Sequence, residues 1–493
     1  MPNSPLNRRA FIIGTTVALA AVTGTPLASA APADAPTAVR IVDDRATPAT
    51  RALFAHLKRQ QGKGILFGHQ HDLSYGFTFT TPDGKASDTR AAVGDYPAVF
   101  GWDTLILYGD ERPGVPGGTD AENIAALSRS IRQGDARGGI NTLSAHMPNF
   151  VTGENFYDTS GRVVGHILPG GSKHADFNAF LDRIASAVEG ARRADGTPIP
   201  VIFRPFHENN GGWFWWGAGH TTSAEYIEVY RYTVEYLRDI KGVHNLLYAY
   251  SPNSAFDGDP AGYLKTYPGD EFVDVLGYDA YDGSAGSTAW LDALVKDLAM
   301  VVRLANERGK VPAYSEFGES GTEGRDPNWF TGLLAAIKAD PLARQATYML
   351  TWANFGGSNR AYVPYPGHAL LPDFVEYPGP VHRLRRRSEG GVLRSHHRRP
   401  ERSVHAPRDP HGPAACDGLR DHRPGAGHAR AGESGHLLRE RLTRPATAPR
   451  RRRFPRGRLV DRPGLVGQPH GRPHGQRAGG RRDVHRLGPG LPR

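Results

Sequence analysis

Two glutamates stand at the ends of apolar runs, 108 residues apart: Glu208 closes Arg204-Pro205-Phe206-His207-Glu208, and Glu316 lies in Tyr314-Ser315-Glu316-Phe317-Gly318. A carboxyl pair of this kind, one member protonated and the other ionised, cleaves a glycosidic bond with retention when about 5 Å separates the two groups. The acid protonates the departing oxygen while the carboxylate attacks the anomeric carbon. A single carboxylate at such a place is ordinarily solvated or salt-bridged, and it is the company these two keep that suggests more. Trp213, Trp215, Trp216 and Trp352 crowd near them, and aromatic faces stack on the apolar faces of pyranose rings. Alternation sends about half of such indoles into a core; Trp213 and Trp352 are expected to face a ligand, with Trp215 and Trp216 undecided. A Glu208 that is neutral at working pH needs a raised pKa, expected from apolar burial against Trp213 and from the charge of Glu316.

These residues must be held by something. Short β-branched and apolar runs recur at 64–70, 98–103, 140–146, 200–208, 246–253, 273–281, 311–317 and 348–352. Runs apolar on both sides of the pleat suit parallel strands covered on both faces. Helical patterns fall between them, the clearest beginning at Thr222-Ser223 with Ile227, Tyr230, Val234 and Leu237 spaced by three and four. Eight strands alternating with helices predict an α/β fold, the closed (β/α)8 TIM barrel, and no glycine-rich fingerprint follows the first strand to suggest dinucleotide binding. In such a barrel the site is built at the C-terminal ends of the strands. All eight runs end in polar or aromatic residues, among them His69-Gln70, Trp102-Asp103, His146-Met147, Tyr278-Asp279-Ala280-Tyr281 and Thr351-Trp352. Strict alternation would place Arg204 with Glu208 on one face, and Tyr314 with Glu316 on one face.

The stretch from Arg204 to Glu208, its continuation Asn209-Asn210-Gly211-Gly212-Trp213-Phe214-Trp215-Trp216-Gly217, and the later Ser315-Glu316-Phe317-Gly318 together resemble glycoside hydrolase family 26, whose activity is mainly endo-β-1,4-mannanase. The resemblance runs from about residue 64 to residue 377. It implies Glu208 as acid/base, Glu316 as nucleophile and His207 as an adjacent orienting histidine. Through the family's Asp-x-Tyr it further implies that Tyr281, two residues after Asp279, donates a hydrogen bond to the nucleophile. His146 and His69 match positions that line the family's cleft. The expected substrate is a β-mannan, with mixed-linkage β-glucan or β-1,3-xylan as alternatives within the family, and a non-catalytic carbohydrate-binding barrel as the alternative outside it. No His, Asp or Glu set has the spacing of a zinc or EF-hand site, so neither metal nor cofactor is expected.

The net charge of +10 invites a nucleic-acid or membrane partner, but it is unevenly distributed. Residues 378–493 hold 28 Arg, no Lys and nine acidic residues, leaving the preceding 377 at −9. Clustered arginines bind phosphates without sequence preference. Here a single Phe, Tyr or Trp, Phe454, lies among them, too little aromatic interleaving for a nucleic-acid partner to be expected. The same 116 residues lack Lys, Ile, Asn, Met, Tyr and Trp, whose codons are mostly A- or T-rich, as GC-rich DNA read out of frame would. The segment is therefore read as a frameshift product or a disordered Arg/Pro/Gly-rich tail, unable to supply the helix that should cover the eighth strand. At the other end, Asn7-Arg8-Arg9-Ala10-Phe11-Ile12, an apolar run to Val22 and Ala28-Ser29-Ala30 have the form of a twin-arginine export signal over residues 1–30. That apolar run is shorter than the roughly 20 residues of a membrane span. A linker is expected at 31–50, a catalytic domain at 51–377, and a secreted, soluble monomer as the product. Cys416 is the only cysteine, so no disulfide can form within the chain.

Overall fold

A computed structural model describes residues 41–320, 324–355 and 361–377 of the chain. The expected leader, the start of the linker, Cys416 and the basic segment 378–493 lie outside the described residues. Eight parallel strands close a barrel in sequence order: β1 (Leu66–Gln70), β2 (Val99–Asp103), β3 (Ile140–Ala145), β4 (Val201–Pro205), β5 (Leu246–Tyr250), β6 (Val275–Asp282), β7 (Val311–Glu319) and β8 (Tyr348–Thr351). Ring closure is the pairing of β1 with β8, Leu66 to Tyr348 through His69 to Thr351. The helices are α1 (Pro48–Gln60), α2 (Asp88–Val93), α3 (Asp120–Ala136), α4 (Val163–Ile167), α5 (His174–Gly190), α6 (Ser223–Glu235), α7 (Pro260–Tyr263), α8 (Thr288–Glu307), α9 (Trp329–Ala339) and α10 (Leu371–Glu376). No described helix is long and apolar enough to cross a membrane.

The strand runs are apolar on both sides because each side meets a different core. Inward residues Leu66, Val99, Ile202, Leu247, Val275, Val311, Tyr348 and Leu350 form one cluster, and outward residues such as Phe67, Phe203 and Met349 join the helices in another. α6 starts where its cap predicts, with Thr222 and Glu225 exchanging the bonds of a capping box. It buries Tyr226, Val229, Tyr230 and Val234, while Ile227 is only half-buried.

The expected linker boundary is corrected. Residues 41–50 are part of the barrel: Ile41 and Ala46, with Phe54 and Leu57 of α1, complete the inner cluster at the N-terminal ends of the strands. The Val42 amide donates to Asp274 Oδ1 at 2.8 Å, the Thr47 amide to the His244 carbonyl at 2.9 Å, and His244 Nδ1 lies 2.8 Å from Asp43 Oδ2. The Ala, Pro and Asp composition that reads as a linker conceals two apolar anchors.

The expectation that β8 is left uncovered is also corrected. α10 is only six residues long, but Phe374 packs against Phe67 and Phe330 with ring centroids 5.5 and 4.9 Å apart. Tyr377 reaches Phe67 at 5.8 Å and its hydroxyl lies 2.8 Å from Met349 Sδ. Phe67, Met349 and Phe374 are buried as a result, and each such side chain contributes about 1.5–3 kcal/mol of burial. One and a half turns of helix suffice because two aromatic rings span both strands.

Candidate active site

Alternation holds along β4 as far as Arg204, which points inward, but it does not deliver Glu208. The strand ends at Pro205, and Phe206 and Glu208 have φ of 52° and 53°, the left-handed region that non-glycine residues avoid. Such residues cost about 1–3 kcal/mol each and persist only where surrounding bonds hold them. Here the Tyr226 hydroxyl donates to the Phe206 carbonyl at 2.9 Å, the Trp216 indole to the His207 carbonyl at 2.8 Å, and the Glu208 amide to the Ser251 carbonyl at 2.8 Å. Trp215, undecided from sequence, is fully buried with Trp216 and donates to the Met147 carbonyl at 3.0 Å. Both indoles are framework for the turn that carries Glu208.

β7 departs from alternation in the opposite way. Tyr278 pairs with Tyr314 but Asp279 pairs with Glu316, so Ser315 is an extra residue, and a bulge of this kind re-aims a side chain. Tyr314 therefore packs outward, in the cluster of Phe317 and Trp329, and does not share a face with Glu316 as strict alternation would require. Ser315 and Glu316 both turn inward. The Ser315 hydroxyl donates to Asp279 Oδ1 at 2.6 Å.

Glu316 is 6% exposed and both its oxygens are engaged. Oε2 accepts from Arg204 Nη2 at 2.5 Å and Oε1 from the Tyr281 hydroxyl at 2.6 Å. The other arm of Arg204 donates to Asp279 Oδ2 at 2.7 Å. Burial disfavours the guanidinium charge, but Asp279 and Glu316 outweigh it and hold its pKa above the ordinary arginine value. Stripping both carboxylates from Arg204 would leave its buried charge uncompensated, at a cost of about 3–5 kcal/mol, whereas either one alone still pairs it. Arg204 and its link to Glu316 were not singled out from sequence, although an arginine at an inward strand position is the signal that could have found them.

Glu208 is 8% exposed. Burial, then Glu316, then Asp279 push its carboxyl well above the ordinary range, against the opposing effects of Arg204 and of a hydrogen bond from Trp213. The expectation for Trp213 is thus altered: its indole does not shield Glu208 as an apolar wall but donates to Oε2 at 2.8 Å. Its ring is half-buried, as is that of Trp352.

Around this pair stand the histidines. His146 Nδ1 is 2.7 Å from Asp103 Oδ2, and the Ser144 hydroxyl also donates to that oxygen at 2.7 Å. Burial lowers the His146 pKa, but the Asp103 carboxylate outweighs it and the net shift is upward. The His146 ring meets Phe156 at 4.5 Å, His207 at 4.6 Å and Trp352 at 5.7 Å. His207 is buried among His146, Phe214 and Trp216, and burial, with Arg204 and His146, lowers its pKa well below the usual value. His69 is placed differently from the expectation. It is fully buried, its Nδ1 lies 2.7 Å from Asp72 Oδ1, and Thr89 bonds the same carboxylate at 2.7 Å. Phe156 and the 57% exposed Tyr157 lie on the segment after β3. They carry no periodicity that sequence reasoning could use. Among the described residues, no three His, Cys, Asp or Glu side chains converge as metal ligands.

Known proteins share the fold described above. The sequence profile described as glycosyl hydrolase family 26 matches residues 42–332. A mannan endo-1,4-β-mannosidase of Bifidobacterium adolescentis is 48% identical over 355 residues, covering 69% of this chain, which spans 35% of that relative's length. Among solved structures, a modular endo-β-1,4-mannanase from Cellulomonas fimi is 55% identical with a TM-score of 0.67, over 69% of this chain and 76% of the other. The catalytic domain of an endo-β-1,4-mannanase from Bacillus sp. JAMB-750 is 49% identical with a TM-score of 0.67, over 69% and 92%.

Proposed function

The chain belongs to glycosyl hydrolase family 26, and from that premise we propose that it is a retaining endo-β-1,4-mannanase working by double displacement. The observation that carries the proposal is the contrast between the two glutamates. Glu316 accepts hydrogen bonds from Arg204 and Tyr281 on its two oxygens, which fix the orientation of its carboxyl group for attack. Glu208 is buried beside Glu316, and burial together with that neighbour pushes its carboxyl well above the ordinary range, the direction a general acid requires.

In the first step the Glu316 carboxylate forms a bond to the anomeric carbon as the bond to the leaving oxygen breaks, and the Glu208 proton passes to that oxygen. In the second, Glu208 takes a proton from water, whose oxygen displaces Glu316. Asp279 acts through Arg204, His146 and His207 form the wall of the cleft, and the half-buried rings of Trp213 and Trp352 offer faces to sugar. The linkage preference rests on the mannanases that the chain resembles. We further propose that residues 1–30 direct twin-arginine export, that the product is a secreted monomer, and that 378–493 arises by a frameshift.

Initial rates of the purified protein on β-1,4-mannan, lichenan and β-1,3-xylan test the substrate. Mannan is expected to be cleaved fastest, with internal scission lowering viscosity before reducing ends accumulate. Preference for lichenan or xylan would keep the hydrolase and overturn the mannan assignment.

A further inference from the structure

The loop after β4 contains a contact that catalysis by the two glutamates does not by itself require. Trp213 Nε1 reaches back five residues to donate to Glu208 Oε2 at 2.8 Å. To do so the indole must lie flat against the backbone at Gly211. A Cβ built on Gly211 would stand 2.2 Å from Trp213 Cη2 and 2.4 Å from both Cζ2 and Cζ3, well inside any real carbon contact. Gly211 is not among the glycines with positive φ, so its backbone does not demand glycine. What demands it is the ring. The Ala218 amide donates to the Gly211 carbonyl at 2.8 Å and the Gly211 amide to the Glu208 carbonyl at 2.9 Å, so the backbone beneath the ring is pinned.

We propose that Gly211 and Trp213 are positioning residues for the acid/base: the bare Cα lets the indole fold back, its N–H occupies Oε2 of Glu208, and Oε1 is left as the atom that holds and delivers the proton. The proposal rests on the assignment of Glu208 as acid/base. In glycosylation the proton leaves Oε1 for the glycosidic oxygen, which keeps the electron pair of the breaking bond, and Glu208 becomes a carboxylate still accepting from Trp213. In deglycosylation Oε1 takes a proton from the attacking water while the electron pair of the bond to Glu316 returns to Glu316. A hydrogen bond to an ionised acceptor is about twice as strong as one to a neutral acceptor. The indole therefore favours the carboxylate and eases proton donation.

Loss of the N–H should raise the Glu208 pKa. Activity that needs the protonated form then persists to higher pH, and the basic limb moves upward. The other groups facing Glu208 are Glu316 from β7, Asp279 and Tyr281 from β6, Arg204 from β4 and Tyr157 from the segment after β3. None is altered by the substitutions below.

The test compares the full chain with Trp213→Phe, Gly211→Ala and the double variant, measuring kcat/KM against pH on mannopentaose and on a 2,4-dinitrophenyl β-mannobioside. Both single variants should move the basic limb upward by about half to one pH unit. They should slow mannopentaose about tenfold more than the dinitrophenyl substrate, which needs no proton, any loss of sugar contact being common to both. Gly211→Ala added to Trp213→Phe should shift the limb no further, because the shorter ring does not lie over residue 211. An unmoved limb with a raised KM on both substrates would make Trp213 a sugar platform alone and overturn the proposal. Where Gly211→Ala fails to fold, Trp213→Phe decides by itself. A basic limb that survives Glu208→Ala would instead remove Glu208 as the proton donor, and that failure is distinct from the first.

Discussion

Glu316→Ala should lower kcat/KM on mannan by about 100,000-fold, the scale on which covalent mechanisms collapse when the nucleophile is removed. The fold should survive. Arg204 keeps its second partner, Asp279, at 2.7 Å, so the guanidinium is not left alone, and removing a carboxylate relieves repulsion with the neighbouring acids. Azide added to the variant should enter the vacated space, attack the anomeric carbon of an activated substrate and yield the α-mannosyl azide, the anomer that a small nucleophile at the Glu316 position would give. Glu316→Ala protein that stays folded and retains a tenth or more of its activity would exclude Glu316 from the covalent step.

Glu208→Ala is expected to discriminate between substrates. On mannan, whose leaving group is a sugar hydroxyl, loss of the general acid should cost about 1,000-fold. On a 2,4-dinitrophenyl mannoside the departing phenolate needs no proton. Its first step should remain near the wild-type rate, seen as a burst followed by slow release of the glycosyl enzyme. The steady state then falls because Glu208 also serves as base in the second step. Equal losses on both substrates in the burst phase would contradict the role assigned to Glu208.

The barrel was legible because its strands are buried on both faces, so that each left an unbroken apolar run ending where polar side chains gather. Seven of the site residues chosen from those ends, Glu208, Glu316, His207, Asp279, Tyr281, His146 and Trp352, lie around one mouth together with Trp213. His69 is the exception, since it is fully buried and its Nδ1 is engaged by Asp72. What could not be read were departures from period two. The extra residue at Ser315 reverses the parity of β7, and the left-handed residues Phe206 and Glu208 carry the acid round a turn whose stability comes from Tyr226, Trp216 and Ser251, all distant from the local pattern. Arg204 and Asp103 were visible as residues, but their pairing with Glu316, Asp279 and His146 exists only once the ring closes. The anchors at residues 41–46 and the short α10 escaped for a related reason. Each buries its apolar residues through contacts remote in sequence, with too few of them to make a periodicity.

The stereochemistry of the first product tests the central claim most directly. Proton NMR of a mannooligosaccharide digest, followed from the first seconds, distinguishes the anomers before mutarotation mixes them. Double displacement through Glu316 predicts that the β-anomer appears first and the α-anomer grows only as mutarotation proceeds. Initial release of the α-anomer would mean that water attacks the anomeric carbon directly, and would contradict the nucleophile assigned to Glu316.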